Sequence, residues 1–520
     1  MKKWFTAAAL SSSLLIALSG CGTSTASNTQ NQSGAGQASS TAKNELVIAN
    51  AEPDPGSWDP IKTFLVAWGE IGNNIFDGLV SRDPDLKIGP GLATSWKYTN
   101  PTTLEFTLRS GVTFQDGEPF NANAVKFTFD RLLKDKSSPQ YSNYNSIKSV
   151  QVVDDTHVIF HLNQVDPVLI TKLAGYGADI VPPKYIQKHG DTYFGDHPIG
   201  TGPYKVTSYK KNNSLTLEAN ESYWGGAPKI KKVLIRWIPD ATTRLEEMQA
   251  GHVDIVETVP PSQVSTVKND SSFTLETAGA PTVEAIRFDT SKSPVNNKLV
   301  RQAINYAIDK NALIQKVLSG YGKPISTFQG DISFGNDPSL KGYSYDPNKA
   351  KALLQQAGVK PGTTLTFDYI GSDSTFAEIA QAVSEELQQV GLNVKLQPVD
   401  QNTFYSDLIP HQNAGQMYEQ GWGGWTLDFD NTAYLLYHKG EFWNPDYSNP
   451  QVEQLLTAER STNDQAKRLE IFHQLDKVLI DQAVDVPLYQ EDTIWAVSKN
   501  VSGWVTPPDE RLDLKDLSFK

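Results

Sequence analysis

The sequence predicts a mixed α/β or α+β fold in which helices pack on sheets of mixed strand direction. Segments with the alternating apolar pattern of strands and segments with the three- and four-residue spacing of helices follow one another along the chain. Alternation of this kind is typical of layered domains built around a shared core. Roughly 475 residues follow the polar N-terminal region, which suggests two to four domains of about 150 residues each.

Residues 1–20 are predicted to be a lipoprotein signal peptide. Lys2 and Lys3 precede an apolar run that is too short to span a bilayer comfortably. The run ends in the tetrad Leu-Ser-Gly-Cys, which resembles a bacterial lipobox, so we expect Cys21 to carry the lipid anchor. The alternative is an ordinary signal peptide with a free cysteine nearby. Cys21 is the only cysteine in 520 residues, which excludes an internal disulfide framework.

Residues 21–44 are predicted to form a flexible tether behind the lipidated cysteine. After Cys21 they are small, polar and almost free of apolar side chains, so they cannot bury enough surface to fold. No second long apolar stretch follows in the sequence, and we therefore expect the folded part of the chain to be soluble.

Composition excludes some classes of partner. The formal net charge is −13 and the chain has no long basic stripe, which argues against nucleic acid binding and against adsorption to anionic lipid. Membrane association should therefore depend on the lipid at Cys21. The 11 Trp, 20 Tyr and 21 Phe residues are a supply of aromatic side chains suited to lining clefts as well as filling cores.

The folded region is predicted to begin with a strand at 45–49. Strands at 103–108 and 111–114, a turn at 115–118 and a helix at 121–131 capped by Asn121 or Asn123 come next. Later helices are predicted at 297–318, 347–357, 375–390, 450–459 and 464–482, and strands at 232–237, 364–369 and 393–397.

A series of short motifs is distributed over the whole chain after the tether. They are LATSW (92–96), FTLRSGVTF (106–114), DGEPFNA (116–122), VKFT (125–128), GTGPY (200–204), YWGG (223–226), MQAGHVDI (248–255), VRQAINYAIDK (300–310), YDP (345–347), AG (357–358) and VPLY (486–489). In this order the motifs resemble the signature of family 5 solute-binding proteins. Members of that family are the peptide, nickel and related receptors of ABC importers.

The resemblance implies a two-lobe, three-domain clamp of the large peptide-binding type, with mixed sheets and a hinge of two crossovers. Lobe I would combine residues 45–81, 198–283 and 489–520, with an inserted domain at 82–197. Lobe II would be residues 284–488. The resemblance also implies a monomer that works with the transmembrane permease subunits and with a separate ATPase.

The stretch GWGGWTLDFD at 421–430 is where the resemblance places the ligand. In peptide-binding relatives a matching aspartate takes the α-ammonium group of the peptide, and the resemblance assigns that role to Asp428. Gly424, Trp425 and Thr426 would form a rail along which the ligand backbone runs. The alternative is that Asp428 or Asp430 caps a helix beginning near residue 431, and we assign the cap to Asp430.

Three further positions complete the predicted site. Phe64, Leu65 and Val66 match the family segment that presents a second backbone edge from the opposite lobe, although core packing would also explain them. Trp422 stands where some oligopeptide binders have a basic residue for a peptide carboxylate. The carboxylate would then be held elsewhere, or the ligand would lack one.

Motifs for catalysis, metals and cofactors are missing from the sequence. The eight histidines show no metal-binding spacing, and neither a GxSxG elbow, a GxGxxG fingerprint nor a Walker loop occurs. The sequence therefore predicts a protein that is not an enzyme, without cofactor or metal.

Together these observations predict a lipid-anchored receptor on the outer face of the cytoplasmic membrane. It would be extracellular in a single-membrane bacterium and periplasmic if there are two membranes. It would capture oligo- or dipeptides between its lobes and deliver them to an ABC permease. The alternatives are an oligosaccharide stacked on Trp422 and Trp425, a nickel or other metal chelate, a peptide-sensing lipoprotein, and a hydrolase.

Overall fold

The computed structural model describes residues 44–520. The predicted signal peptide, Cys21 and the tether up to residue 43 lie outside the described residues. Among the helices of the described part, none combines the length and the apolar character that crossing a membrane would require.

Nineteen strands make up the sheets of this part of the chain. They are β1 (Glu45–Asn50), β2 (Val80–Arg82), β3 (Ile88–Pro90), β4 (Ala93–Asn100), β5 (Thr103–Leu108), β6 (Ile147–Asp154), β7 (His157–Leu162), β8 (Tyr204–Lys210), β9 (Ser214–Ala219), β10 (Lys232–Trp237), β11 (Ile255–Val256), β12 (Phe273–Phe288), β13 (Gly322–Pro324), β14 (Thr363–Ile370), β15 (Leu392–Val399), β16 (Met417–Gly423), β17 (Asp485–Ser498), β18 (Val501–Ser502) and β19 (Ser518–Phe519).

Sixteen α-helical segments lie between the strands of residues 44–520. They are α1 (Val66–Gly72), α2 (Ala122–Lys134), α3 (Tyr141–Tyr144), α4 (Leu169–Leu173), α5 (Pro183–His189), α6 (Asp191–Asp196), α7 (Ala241–Gln249), α8 (Val264–Lys268), α9 (Lys298–Ala307), α10 (Lys310–Lys316), α11 (Pro347–Gln356), α12 (Ser374–Gln389), α13 (Gln401–Thr403), α14 (Phe429–Tyr437), α15 (Pro450–Arg460) and α16 (Gln465–Gln482).

The largest sheet has eleven strands in the order β15-β14-β16-β12-β17-β11-β1-β10-β9-β8, with β13 on β17. Pairing is parallel for β14 with β15 and β16 and for β1 with β10 and β11, and antiparallel for β12 with β16 and β17. The predicted mixed sheet is therefore confirmed. A separate antiparallel sheet, β4-β5-β7-β6, packs with α2 around its own apolar core.

The long strands β12 and β17 connect the two halves of the large sheet. They pair from Phe273 with Ser498 to Arg287 with Asp485, and the register shifts between Gly279 and Val283 and again after Glu284. The half of the sheet that contains β14 and β16, called the β16 side below, has apolar cores beneath α9, α12 and α14. The half that contains β1 has a separate apolar core. The two strands are thus the two crossovers of a two-lobe clamp. The exact residue limits of the predicted domains stay a prediction.

Most predicted elements occur within one or two residues of their positions, and two differ for local reasons. Segment 111–114 forms only an isolated bridge between Thr113 and Pro119 instead of a strand, because Gly111 has a positive φ of 77° that breaks the extended backbone. The helix predicted at 297–318 is two helices, because Asp309 leaves the helical conformation and caps α10 by accepting from the Ala312 N–H. Asn121 caps α2, as predicted.

Candidate functional site

A cavity of about 1380 Å³ lies between elements from residues 64–176 and elements of the β16 side. One part of its wall comes from Phe64, Val66, β2 and α4 with the loops around them. The other part comes from β16, the loop after it, α14 and α15, and residues 509–511 of the C-terminal segment complete the lining. The volume exceeds the 300–1,000 Å³ usual for drug-sized ligands, so it suits an extended or large ligand.

The end of β16 lines this cavity, and one of its two edges lacks a neighbouring strand among residues 44–520. β16 pairs with β12 along its full length, from Met417 to Gly423, but it pairs with β14 only through Met417 and Tyr418. From Glu419 onward the other edge of β16 has no neighbouring strand in the described chain, and residues 420–423 line the cavity. An unpaired strand edge carries N–H and C=O groups that can pair with another extended chain. Two carbonyls in this stretch already have donors, since Gly421 accepts from Nε2 of Gln420 at 3.1 Å and Gly423 accepts from the Trp425 N–H at 3.0 Å.

Trp425 closes one part of the cavity by packing on aromatic side chains from the other wall. Its ring stacks on Tyr176 with centroids 5.7 Å apart and an interplanar angle of 26°, and it meets Phe64 edge-on at 5.5 Å. A Cβ at Gly175 would lie 2.4 Å from the indole ring, so the close approach requires glycine there. The indole N–H groups of Trp422 and Trp425 are buried without a hydrogen-bond partner. The aromatic contacts therefore join the two walls of the cavity.

Comparison with known proteins agrees with this architecture. The family model described as "Bacterial extracellular solute-binding proteins, family 5 Middle" matches residues 87–444. The chain belongs to this family. The predicted family, the two-lobe fold and the expectation of a binding protein rather than an enzyme are therefore confirmed, since the matched homologues of this family 5 protein are solute-binding proteins of ABC transporters.

Three relatives show the range of the likeness. The glutathione-binding protein GsiB of Salmonella typhi is 28% identical over 462 residues, which cover 86% of this chain and 90% of GsiB. The dipeptide-binding protein of Pseudoalteromonas sp. SM9913, solved with Met-Leu, is 26% identical with a TM-score of 0.77. The match covers 92% of this chain and 100% of the dipeptide-binding protein. NikA of Brucella suis, solved with Fe(III)-EDTA, shares the fold at a TM-score of 0.83 and 24% identity, covering 92% and 100% of the two chains.

The structure brings part of the predicted site of this family 5 protein to the cavity. Phe64, Val66, Trp422 and Trp425 line it, whereas the residues off the lining are Leu65, Gly424, Thr426 and Asp428. Residues 64–66 are 40–46% exposed, so the alternative that they pack in a core is wrong. Thr426 is fully buried, and its hydroxyl bonds to the backbone of Asp428. Of the predicted rail residues only Trp425 lines the cavity, together with the preceding residues 420–423.

Asp428 needs a correction, because its carboxylate already has a buried cation partner. Its oxygens accept from Nη1 and Nη2 of Arg468 at 2.8 and 2.7 Å, and the two side chains are 5% and 0% exposed. An α-ammonium group would have to displace Arg468 to bind there. Burial raises the pKa of Asp428, and the adjacent guanidinium opposes that shift. We therefore no longer interpret Asp428 as the amine anchor but as part of the interior of the β16 side.

The predicted helix cap is also wrong. Asp428 is the N-cap of α14 and accepts from the Asp430 N–H at 3.0 Å, whereas Asp430 lies in the first turn. Asp430 lines the cavity and pairs with Arg460, with one N–H···O distance of 3.0 Å. Burial would raise the pKa of Asp430, but a hydrogen bond from Glu459 and the charge of Arg460 outweigh it and hold that pKa low. Asp430 is thus an ionised cavity residue.

Sequence reasoning missed a group of charged residues on the lining, namely Arg82, Asp509 and Arg511. Arg82 donates to the Thr426 carbonyl at 3.1 Å, and both arginines contact Asp509. These residues lie in no recognised motif, and Arg82 and Asp509 are 427 positions apart. No local pattern could have placed them together. Within residues 44–520 no group of three or more His, Cys, Asp or Glu side chains is arranged to hold a metal ion.

Proposed function

We propose that this family 5 protein captures peptides in an extended conformation and delivers them to an ABC permease. The observation that carries the proposal is the edge of β16 at residues 420–423, which lines the cavity and has no strand beside it in the described chain. A peptide that pairs with this edge gains main-chain hydrogen bonds, which give affinity without selecting side chains. Relatives solved or named with peptide ligands, Met-Leu and glutathione, support the same cargo.

Closure of the clamp supplies the signal to the permease. A ligand favours the closed form only through contacts that it makes there and not in the open form. The aromatic contacts of Trp425 and the hydrogen bond from Arg82 to Thr426 join the two walls of the cavity in the structure. A peptide lying between these walls adds to the same contacts. ATP hydrolysis takes place on the separate ATPase, and the receptor acts as a monomer.

Main-chain pairing predicts an alternating sensitivity to backbone methylation of the ligand. In an extended strand successive N–H groups point to opposite sides, so only alternate residues of a bound peptide face β16. Pentapeptides carrying N-methyl groups at residues 2 and 4, or at residues 3 and 5, are expected to differ in binding free energy by about 1–3 kcal/mol, since two hydrogen bonds are lost in only one of them. Isothermal titration of both peptides and of the unmethylated parent measures this difference.

The parent peptide is the matched control, and oligosaccharides and nickel chelates extend the same titration. Equal loss of affinity for both methylated peptides would contradict main-chain pairing. Binding of an oligosaccharide or a nickel chelate, with no binding of any peptide, would reject the peptide cargo and leave the receptor role intact.

We place the receptor on the outer face of the cytoplasmic membrane, held by a lipid on Cys21. Cys21→Ser is expected to release the folded body into the soluble fraction or to leave it as an uncleaved precursor, because the thiol that would be acylated is gone. Cell fractionation with mass spectrometry of the N-terminus measures both forms. Thr23→Ala, two residues further along the tether, is the control and should stay in the membrane fraction. A fully processed Cys21→Ser protein in the membrane fraction would refute the lipid anchor.

A further inference from the structure

One part of the cavity wall carries two arginines that share a single carboxylate. Arg82 ends β2, and its side chain is only 2% exposed. Its Nη1 lies 3.4 Å from Oδ2 of Asp509, and the same oxygen accepts from Nε and Nη2 of Arg511 at 2.9 and 2.7 Å. All three residues line the cavity. Two guanidinium groups therefore converge on one acceptor oxygen beside the ligand space.

Other ion pairs on the lining are balanced one to one. Lys172 lies 3.0 Å from Asp166, and Arg460 pairs with Asp430. The group of Arg82, Arg511 and Asp509 has two positive charges and one negative charge. Burial would raise the pKa of Asp509, but the two arginines outweigh that effect and hold the pKa low, so Asp509 is ionised. The surplus is a buried positive charge next to the cavity.

The nearby carboxyl groups, one of which belongs to the lining residue Glu510, cancel this surplus only in part near neutral pH. Burial raises the pKa of Asp179, which faces Arg511, to about 7. Burial also raises the pKa of Glu510 to about 8, with further contributions from Glu257, Glu491, Glu52 and Asp509. Both groups are therefore partly or largely protonated and uncharged at pH 7. Burial together with the charge of Arg511 lowers the pKa of Arg82 to about 10, as expected for crowded positive charge.

Both guanidinium groups keep donors that the protein does not use. Within residues 44–520, Arg82 donates to Asp509 and to the Thr426 carbonyl, and Arg511 donates to Asp509 and to the Ala174 carbonyl. A guanidinium group has five N–H donors in a planar fork. That fork matches the two oxygens of a carboxylate and gives paired, charge-assisted hydrogen bonds.

We propose that Arg82 and Arg511 form a subsite that binds a carboxylate group of the ligand. This inference rests on the proposed function because it assumes that the ligand binds in the same cavity. It restricts the ligand to peptides or other solutes that carry an anionic group. The two arginines supply positive charge on the part of the wall formed by β2 and residues 509–511. The carboxylate is either the C-terminus of a peptide or an acidic side chain.

Titration of the unmodified protein with matched ligands tests the subsite. The probes are Met-Leu, Met-Leu amide, Met-Glu amide, succinate and succinamide. Met-Leu is expected to bind about 30-fold more tightly than Met-Leu amide. The amide lacks the charged partner of the two arginines, and loss of one partner of a buried charge pair weakens binding by at least about 30-fold. Tighter binding of Met-Glu amide than of Met-Leu amide would identify a side-chain carboxylate as sufficient. Equal binding of these two amides, with Met-Leu bound more tightly than both, would assign the subsite to the C-terminus.

The outcomes separate this inference from the peptide cargo. Equal affinities of Met-Leu, Met-Leu amide and Met-Glu amide would overturn the subsite and leave the peptide receptor intact. Succinate binding more tightly than succinamide, with no peptide bound, would keep the subsite and reject the peptide cargo. If no carboxylate binds more tightly than its neutral counterpart, or if nothing binds, the subsite is overturned.

Variants then assign the effect to the two arginines. Arg82→Gln and Arg511→Gln are each expected to lower the ratio of Met-Leu affinity to Met-Leu amide affinity about 30-fold. Arg82→Gln also weakens both ligands by a common factor, because its hydrogen bond to the Thr426 carbonyl is lost. Arg82→Lys keeps the positive charge but lacks the planar pair of donors. It should restore about a tenth of the preference for Met-Leu over Met-Leu amide that Arg82→Gln loses. Arg236→Gln removes an arginine that pairs with Glu247 away from the cavity, and it should bind as the unmodified protein does.

Thermal unfolding of each variant shows whether it is folded before titration. If Arg82→Gln does not fold, Arg82→Lys and the acid-to-amide ratio of the unmodified protein decide the question. Equal weakening of Met-Leu and its amide in both glutamine variants would show that the arginines only support the wall, and it would overturn the subsite.

Discussion

Asp428→Ala is expected to destabilise the folded protein by about 3–5 kcal/mol, because it leaves the charge of Arg468 buried without an ionised partner. Arg468 has a second acceptor, Glu459, at 3.1 Å. Burial and the negative charge of Asp430 raise the pKa of Glu459 to about 10, so Glu459 is mostly protonated at neutral pH. The charge balance of Arg468 therefore depends on Asp428. Urea unfolding followed by circular dichroism measures the change in the free energy of unfolding.

Two further variants sharpen this test. Asp85→Ala removes an aspartate whose side chain is 77% exposed, and it should change the free energy of unfolding by less than about 0.5 kcal/mol. Arg468→Met added to Asp428→Ala removes the unpaired charge and should recover part of the lost stability. Unchanged stability of Asp428→Ala together with lost peptide binding would instead restore the ammonium-binding role that the sequence suggested.

Trp425→Ala is expected to weaken peptide binding by about 2–4 kcal/mol, since it removes a central aromatic anchor that also joins the two walls. The stack on Tyr176 and the edge-on contact with Phe64 both disappear with the indole ring. Isothermal titration with the tightest-binding peptide measures the loss of affinity. Small-angle scattering with and without peptide measures whether the clamp still closes.

The matched control is a tryptophan of similar burial outside the cavity. Trp504 packs against Trp495 with ring centroids 5.3 Å apart and is not on the cavity lining. Trp504→Ala should lower the free energy of unfolding and leave peptide affinity unchanged. Trp425→Phe keeps an aromatic ring and should lie between Trp425→Ala and the unmodified protein. Full affinity in Trp425→Ala would remove this residue from both closure and binding.

Asp428 illustrates how far local sequence reasoning reaches in this protein. The sequence correctly predicted a helix start in this region, because capping depends on residues two or three positions apart. The sequence analysis assigned the cap to Asp430, because the predicted helix begins near residue 431 and Asp430 directly precedes it. The backbone of Asp428 decides the matter, with φ −127° and ψ 131° in the extended region. Its ion pair with Arg468, 40 residues away, had no local signal.

The sequence by itself determined the family, the mixed α/β fold, most helix and strand positions and the absence of a recognisable catalytic motif. Those features follow from short motifs, from apolar periodicity and from caps, which all act over a few residues. Only the tertiary structure decided which side chains reach the cavity. In the folded chain β16 pairs with β14 only at its first two residues, Asp428 forms an ion pair with Arg468, and Arg82 and Arg511 both contact Asp509. Such contacts depend on the path of the whole chain, because charge balance and burial are set by neighbours in space rather than in sequence.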